Sequence, residues 1–193
     1  MCGRFFIAED DPSEELKLII QALNRRGNVG GSVKTSGEIF PTDTVPVVAN
    51  SRSMMPTTFA MQWGYRMDKR LLINARSETA ADKPLFRDGL LQRRCLIPAT
   101  HYFEWERHGR DKTKYAIRSA EPGLIYMAGI YRIRDNRPEF LILTRASADS
   151  ISFIHDRMPV LLPKAAQSDW LNLRKDPGEA LRAALLSVEY QPA

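Results

Sequence analysis

The chain has 193 residues, 44% of them hydrophobic and 26% charged, which excludes a disordered or fibrous protein and suffices for one hydrophobic core. Its 28 Lys and Arg against 23 Asp and Glu give a formal charge of +5, compatible with a polyanionic partner but not diagnostic of one. Two cysteines permit at most one disulfide, no apolar run reaches the roughly 18–20 residues of a membrane span, and nothing apolar precedes Cys2 as a signal or lipoprotein anchor would require. The expectation is one domain over residues 1–193, cytoplasmic (nucleoid-associated if bacterial), with no membrane and no obligate protein partner.

Asp11-Pro12-Ser13-Glu14 reads as a helix start, with Asp at the N-cap, Pro at the first helical position and Glu at the third. Leu16, Ile19, Ile20 and Leu23 follow at helical spacing, and Gly27 supplies a stop. Residues 45–49 predict a short β-branched strand in which Pro46 is best tolerated at an edge. Residues 57–63 predict another strand, closed by Gly64, and residues 83–93 a short helix interrupted at Gly89. From Arg94 onward the pattern is strand-rich: 95–98, 102–106, 114–119, 124–131 and 140–144, separated by turn-like tracts that suggest antiparallel hairpins. One or two helical turns follow at 147–155, then helices at 163–173 and 176–187, the second opened by Asp176-Pro177-Gly178-Glu179. Strands in the middle with helices at the ends predict an α+β fold, mostly antiparallel, with a barrel-like β core and flanking helices.

Four segments carry chemistry. Removal of Met1 would leave Cys2 with an α-amine and a thiol on adjacent carbons, a pair that condenses with an aldehyde to a five-membered thiazolidine. At their reference values, roughly a tenth of the amine and a few per cent of the thiol are deprotonated at neutral pH. Asn74-Ala75-Arg76-Ser77-Glu78-Thr79 follows the apolar run 71–73, so Asn74 sits where a strand ends and either positions a polar group or caps a turn. Along 102–106, alternation places Tyr102, Glu104 and Glu106 on one face and Phe103 and Trp105 on the other. Glu104 among aromatics is either a general acid/base with a raised pKa or a solvent-facing carboxylate. In His155-Asp156-Arg157-Met158-Pro159, Pro159 favours an extended Met158 and places His155 on a helix-to-strand corner, as proton shuttle or helix-end cation. His101, His108, His155 and the cysteines lack a compact ligand spacing, so neither a metal nor a cofactor is expected.

Together these segments resemble the SRAP (SOS response-associated peptidase) family. The similarity also rests on Met1-Cys2-Gly3-Arg4, Pro41 with Val45-Pro46-Val47-Val48, Trp63-Gly64, Arg94-Cys95-Leu96-Ile97-Pro98-Ala99 and Ala128-Gly129, and runs from residue 1 to about 170. The resemblance implies a sensor of abasic sites in single-stranded DNA that cross-links the lesion through Cys2, with possible strand-cleaving lyase and self-processing peptidase activity alongside. By the same resemblance Cys2 is the nucleophile, Asn74 orients its amine, Glu104 assists sugar-ring opening and proton transfer, and His155 handles protons. Arg4, Arg76 and Arg157 are implied to hold phosphates, with Thr144, Pro41 and Trp63 as further DNA-facing residues.

Two departures stand out. Where the family often continues with a Pro- and Trp-containing stretch that stacks on bases, this chain has Arg66-Met67-Asp68-Lys69-Arg70, and where Asn is common it has Glu38. Two rival readings remain: an N-terminal-nucleophile glutamine amidotransferase, which also begins Met-Cys-Gly, and a non-catalytic single-stranded nucleic-acid-binding module in which Cys2 is incidental. A protease acting on other proteins finds no Ser/His/Asp order or zinc motif to support it.

Overall fold

The middle of the chain is built from strands apolar on both faces, so the sheet they form must be covered on both sides. In the computed structural model, which describes residues 2–9, 14–25 and 32–193, five of them close on themselves. These are β3 (Thr44–Asn50), β4 (Pro56–Trp63), β8 (Arg94–Ala99), β11 (Ile125–Arg134) and β12 (Arg137–Ala146). The order β11-β8-β3-β4-β12 returns to its start because β12 also pairs with β11. All contacts in this ring are antiparallel except β4–β12, a parallel pairing over Glu139↔Gln62 and Phe140↔Trp63. The α+β, mostly antiparallel, barrel-like fold expected from the sequence is the one observed.

Alternation divides the barrel residues between two cores. Cys95, Ile97, Met127, Phe140 and Ile142 point inward with Val45, Val47, Met61 and Trp63. Leu96, Ala128, Ile130, Leu141 and Leu143 point outward and are covered by Phe86, Leu90, Trp170 and Ala180 of the helices. Those helices are α2 (Pro84–Gln92), α3 (Lys164–Leu171) and α4 (Pro177–Arg182). The expected break at Gly89 is absent, since α2 runs through it; a Cβ there would stand 3.1 Å from Cβ of Ile130, so the glycine lets the helix lie close on β11. Asp176 caps α4 as expected, accepting a hydrogen bond from the Gly178 amide at 3.0 Å.

A second, open sheet has the order β14-β10-β9-β1-β2 and packs its inner face into the barrel's inner core. Its members are β1 (Arg4–Ile7), β2 (Gly37–Ile39), β9 (His101–His108), β10 (Asp111–Ser119) and β14 (Val188–Pro192). Residues 121–123 therefore carry the chain from one sheet to the other rather than closing a hairpin, whereas β9–β10 and β11–β12 are hairpins as expected. Pro46 sits in a strand flanked on both sides, but the β3–β8 ladder covers only Val48 and Ala49, so the proline occupies a stretch paired on one side alone. Helix α1 (Glu14–Arg25) buries Leu16, Ile19 and Leu23 at the expected spacing; Asp11, Pro12, Ser13 and Gly27, expected to start and stop it, lie outside the described residues.

Candidate active site

Short strands β7 (Asn74–Arg76) and β13 (Arg157–Pro159) flank β12 at one end of the barrel. Their registers place Arg76 opposite Thr144 on one side and Pro159 opposite Thr144 on the other. Asn74 thus opens a three-residue strand instead of closing one, and the alternation that buries Ala75 turns Asn74 and Arg76 the other way. A 3₁₀ turn over Ser77–Thr79 follows and brings Glu78 to Arg157.

The two sheets meet at the start of the chain. Asn74 Nδ2 donates to the Cys2 carbonyl at 2.8 Å, tying the segment ahead of β1 to β7. Asn74 Oδ1 is buried and has no hydrogen-bond partner among the described residues. Cys2 is 0% exposed, and its Sγ donates to the Arg4 carbonyl at 3.6 Å. Burial pushes the thiol well above its ordinary pKa, and the nearby Glu104 carboxylate pushes it further. The resting group is a neutral thiol, not the few-per-cent thiolate its reference value suggests.

Glu104 lies on β9, 4% exposed, on the inner face with the fully buried Tyr102. The expected division of that strand holds: Phe103 and Trp105 face outward, where Lys114 stands 3.7 Å from the Phe103 ring and Arg4 stands 5.5 Å from the Trp105 ring. Arg4 also lies 4.0 Å over Phe40, next to Pro41, and donates to Glu38 at 3.0 Å. Lys114 reaches the same Glu38 oxygen at 2.9 Å. Burial raises the Glu38 carboxyl, but the hydrogen bonds from Lys114 and Arg4 outweigh it and hold the group below its ordinary range.

His155 precedes β13 at the expected corner. Its Nδ1 accepts from the Arg157 amide at 3.0 Å and lies 2.8 Å from Asp156 Oδ1. One nitrogen cannot serve both at once: it accepts from the amide only when bare and bonds to the carboxylate only when protonated.

The DNA-facing set expected from the sequence divides. Arg76 is exposed, and Arg4 and Pro41 are partly exposed. Arg157 is 12% exposed and already committed, bidentate to Glu78 at 2.7 and 2.9 Å and to the Thr144 carbonyl at 2.7 Å. Thr144 and Trp63 are fully buried. Trp63 stacks on Phe140 at 6.3 Å and donates to the Ile73 carbonyl at 3.0 Å, so it supports the core and offers no face to a strand. Lys114, brought beside Arg4 by the pairing of β9 with its neighbours, is a cation sequence reasoning missed; a lone lysine on a strand gave no signal of it. No group of three or more metal-ligating side chains gathers among the described residues, and no helix there is long and apolar enough to cross a membrane.

The fold and this end of the barrel define a class: an α+β protein in which a buried cysteine just ahead of the first strand is tied to the barrel by an amide. Residues 1–192 match the family model described as SOS response associated peptidase (SRAP), and the chain belongs to that family. It is 31% identical over 201 residues to the abasic site processing protein YoqW of Bacillus subtilis, covering 96% of this chain and 86% of that one. It is 36% identical over 116 residues to abasic site processing protein YedK of Escherichia coli, covering 56% and 52% respectively. A crystal structure of a protein from Bacteroides thetaiotaomicron shares the fold with a TM-score of 0.76 at 21% identity, covering 99% of this chain and 91% of that chain.

Proposed function

We propose that this protein captures abasic sites in single-stranded DNA as a covalent thiazolidine on Cys2, after Met1 has been removed. The observation that carries this reading is the Asn74 amide. Its Nδ2 already grips the Cys2 carbonyl, while its buried Oδ1 is the matching acceptor for an α-amine on the same residue. The names of the relatives, abasic site processing proteins, agree with it.

The chemistry balances without a cofactor. Hydrolysis of the Met1–Cys2 bond consumes one water and frees the amine. The lesion sugar is a cyclic hemiacetal; its anomeric hydroxyl proton passes to the ring oxygen as the ring opens to an aldehyde, a transfer for which Glu104 is the proposed assistant. The amine attacks the aldehyde carbon, and the carbinolamine loses one water to give an imine. The Cys2 sulfur then adds to the imine carbon while the thiol proton moves to nitrogen, closing the ring. His155, an imidazole beside β13, fits the water-loss step as its proton carrier. A missing base offers nothing to read, so affinity rests on phosphates and stacking; Arg76, Arg4 with Lys114, and the rings of Phe40 and Trp105 are the groups suited to it.

Intact-mass spectrometry tests the reading. The protein should start at Cys2 and gain the mass of an abasic oligonucleotide less one water, in a product stable to denaturation. Cys2→Ala should give none, and Asn74→Ala and Glu104→Gln should slow it by about 10²-fold, the scale of one positioned acid/base group. Cross-linking by a chain that retains Met1, or by Cys2→Ala, would overturn it. Reversible binding alone, unchanged in Cys2→Ala, would mark a binding module, and glutamine hydrolysis insensitive to Glu104→Gln an amidotransferase.

A further inference from the structure

Tyr102 is the least explained side chain near the site. It is 0% exposed, and its phenol oxygen is buried with no hydrogen-bond partner among the described residues. A phenylalanine would fill the same space without stranding a hydroxyl, and stranded buried hydroxyls cost stability. Packing therefore does not account for a tyrosine here.

Its position suggests what does. Alternation along β9 turns Tyr102 to the same inner face as Glu104, and the β1–β9 register sets it opposite Phe5, three residues after Cys2. Burial first, then the Cys2 thiol and the Glu104 carboxylate, hold the phenol far above its ordinary pKa, so it keeps its proton at working pH. Cys2 and Tyr102 are packed in the same buried core.

The resting sulfur has the wrong kind of partner for reaction. A thiol can donate to the Arg4 carbonyl, but a sulfur losing its proton needs a donor, and a carbonyl has none to give. The Asn74 amide is bonded to the Cys2 carbonyl, and the Arg4 guanidinium lies on the outer face with Glu38 and Phe40. We propose that the Tyr102 hydroxyl is the donor that holds the Cys2 sulfur while it carries negative charge during ring closure. Tyr102 keeps its own proton throughout; the thiol proton goes to the imine nitrogen as the sulfur–carbon bond forms. The other groups that bear on the sulfur are Glu104 from β9 and the Arg4 carbonyl from β1, while the uncharged Asn74 amide from β7 holds the Cys2 carbonyl. The inference rests on the cross-linking reading above.

Tyr102→Phe, with Met1 removal verified by mass, is the test. Three quantities are read: the rate at which the borohydride-trappable imine becomes denaturation-stable adduct, the pH dependence of Cys2 alkylation by iodoacetamide, and the thermal midpoint. Peptide mapping separates Cys2 from Cys95. Loss of one hydrogen bond to a charged group predicts ring closure slowed about tenfold and an alkylation profile displaced by about one pH unit upward. The midpoint should stay the same or rise, because the stranded hydroxyl is gone. Wild-type kinetics and an unmoved alkylation profile would overturn the role of Tyr102 while leaving the cross-linking reading intact; so would slowing matched by a lower midpoint. Absence of any adduct from the wild-type protein would overturn both.

Discussion

At the scale of single residues, the site's cations are held by carboxylates of the protein itself. Glu38 spans Arg4 and Lys114, and on the proposed reading a DNA phosphate would compete with it for both. Glu38→Gln should tighten binding to single-stranded DNA severalfold at low salt, measured by fluorescence anisotropy, and the gain should shrink as salt rises. Glu78 plays the same part for Arg157, whose bidentate hydrogen bonds lower its carboxyl to about 2. A carboxyl with a lowered folded pKa stabilises above its ordinary value of 4.5 and loses that contribution as pH falls toward about 2. Thermal midpoints of the wild type and Glu78→Gln should therefore differ by a constant amount above about pH 5 and converge near pH 2. The carboxylate is half exposed and screened, so the difference stays under about 1 kcal/mol.

At the scale of elements, long strands were readable and short ones were not. The apolar runs behind β8, β9, β11 and β12 and the Asp176 cap left local signals, because their residues alternate or cap within a few positions. Strands β1, β7 and β13 are three or four residues long, too short for a period to show, and they carry or adjoin Cys2, Arg4, Asn74, His155 and Arg157. Their strand character comes from partners far along the chain, such as Asn74 beside Ile142 and Arg157 beside Ala146. The burial of Trp63 was hidden for the same reason: it depends on a ring closure across β4 and β12 that no local pattern encodes. The β11–β12 pairing that completes the ring is tight at Gly129, where a Cβ would lie 2.8 Å from the Leu141 carbonyl and 3.0 Å from Cys95 Sγ. Since the obstacle includes backbone, Gly129→Ala should cost about 1–3 kcal/mol in chemical denaturation.

For the whole molecule, the candidate site residues were legible as types in the sequence, while their meeting point was not. Cys2 and Asn74 are 72 positions apart, and only the packing of the open sheet against the barrel brings them into hydrogen-bond contact. The net charge of +5 is modest, so binding should weaken gently with salt. Each phosphate contact on a single strand contributes about −0.7 to the log–log slope, and Arg76→Ala should flatten it by about that much. The placement of β1 adds a last consequence. It lies between β2 and β9, with neighbours on both sides. The amides of Phe5 and Ile7 should therefore exchange with deuterium as slowly as those of the barrel, which makes the segment next to Cys2 as rigid as the interior.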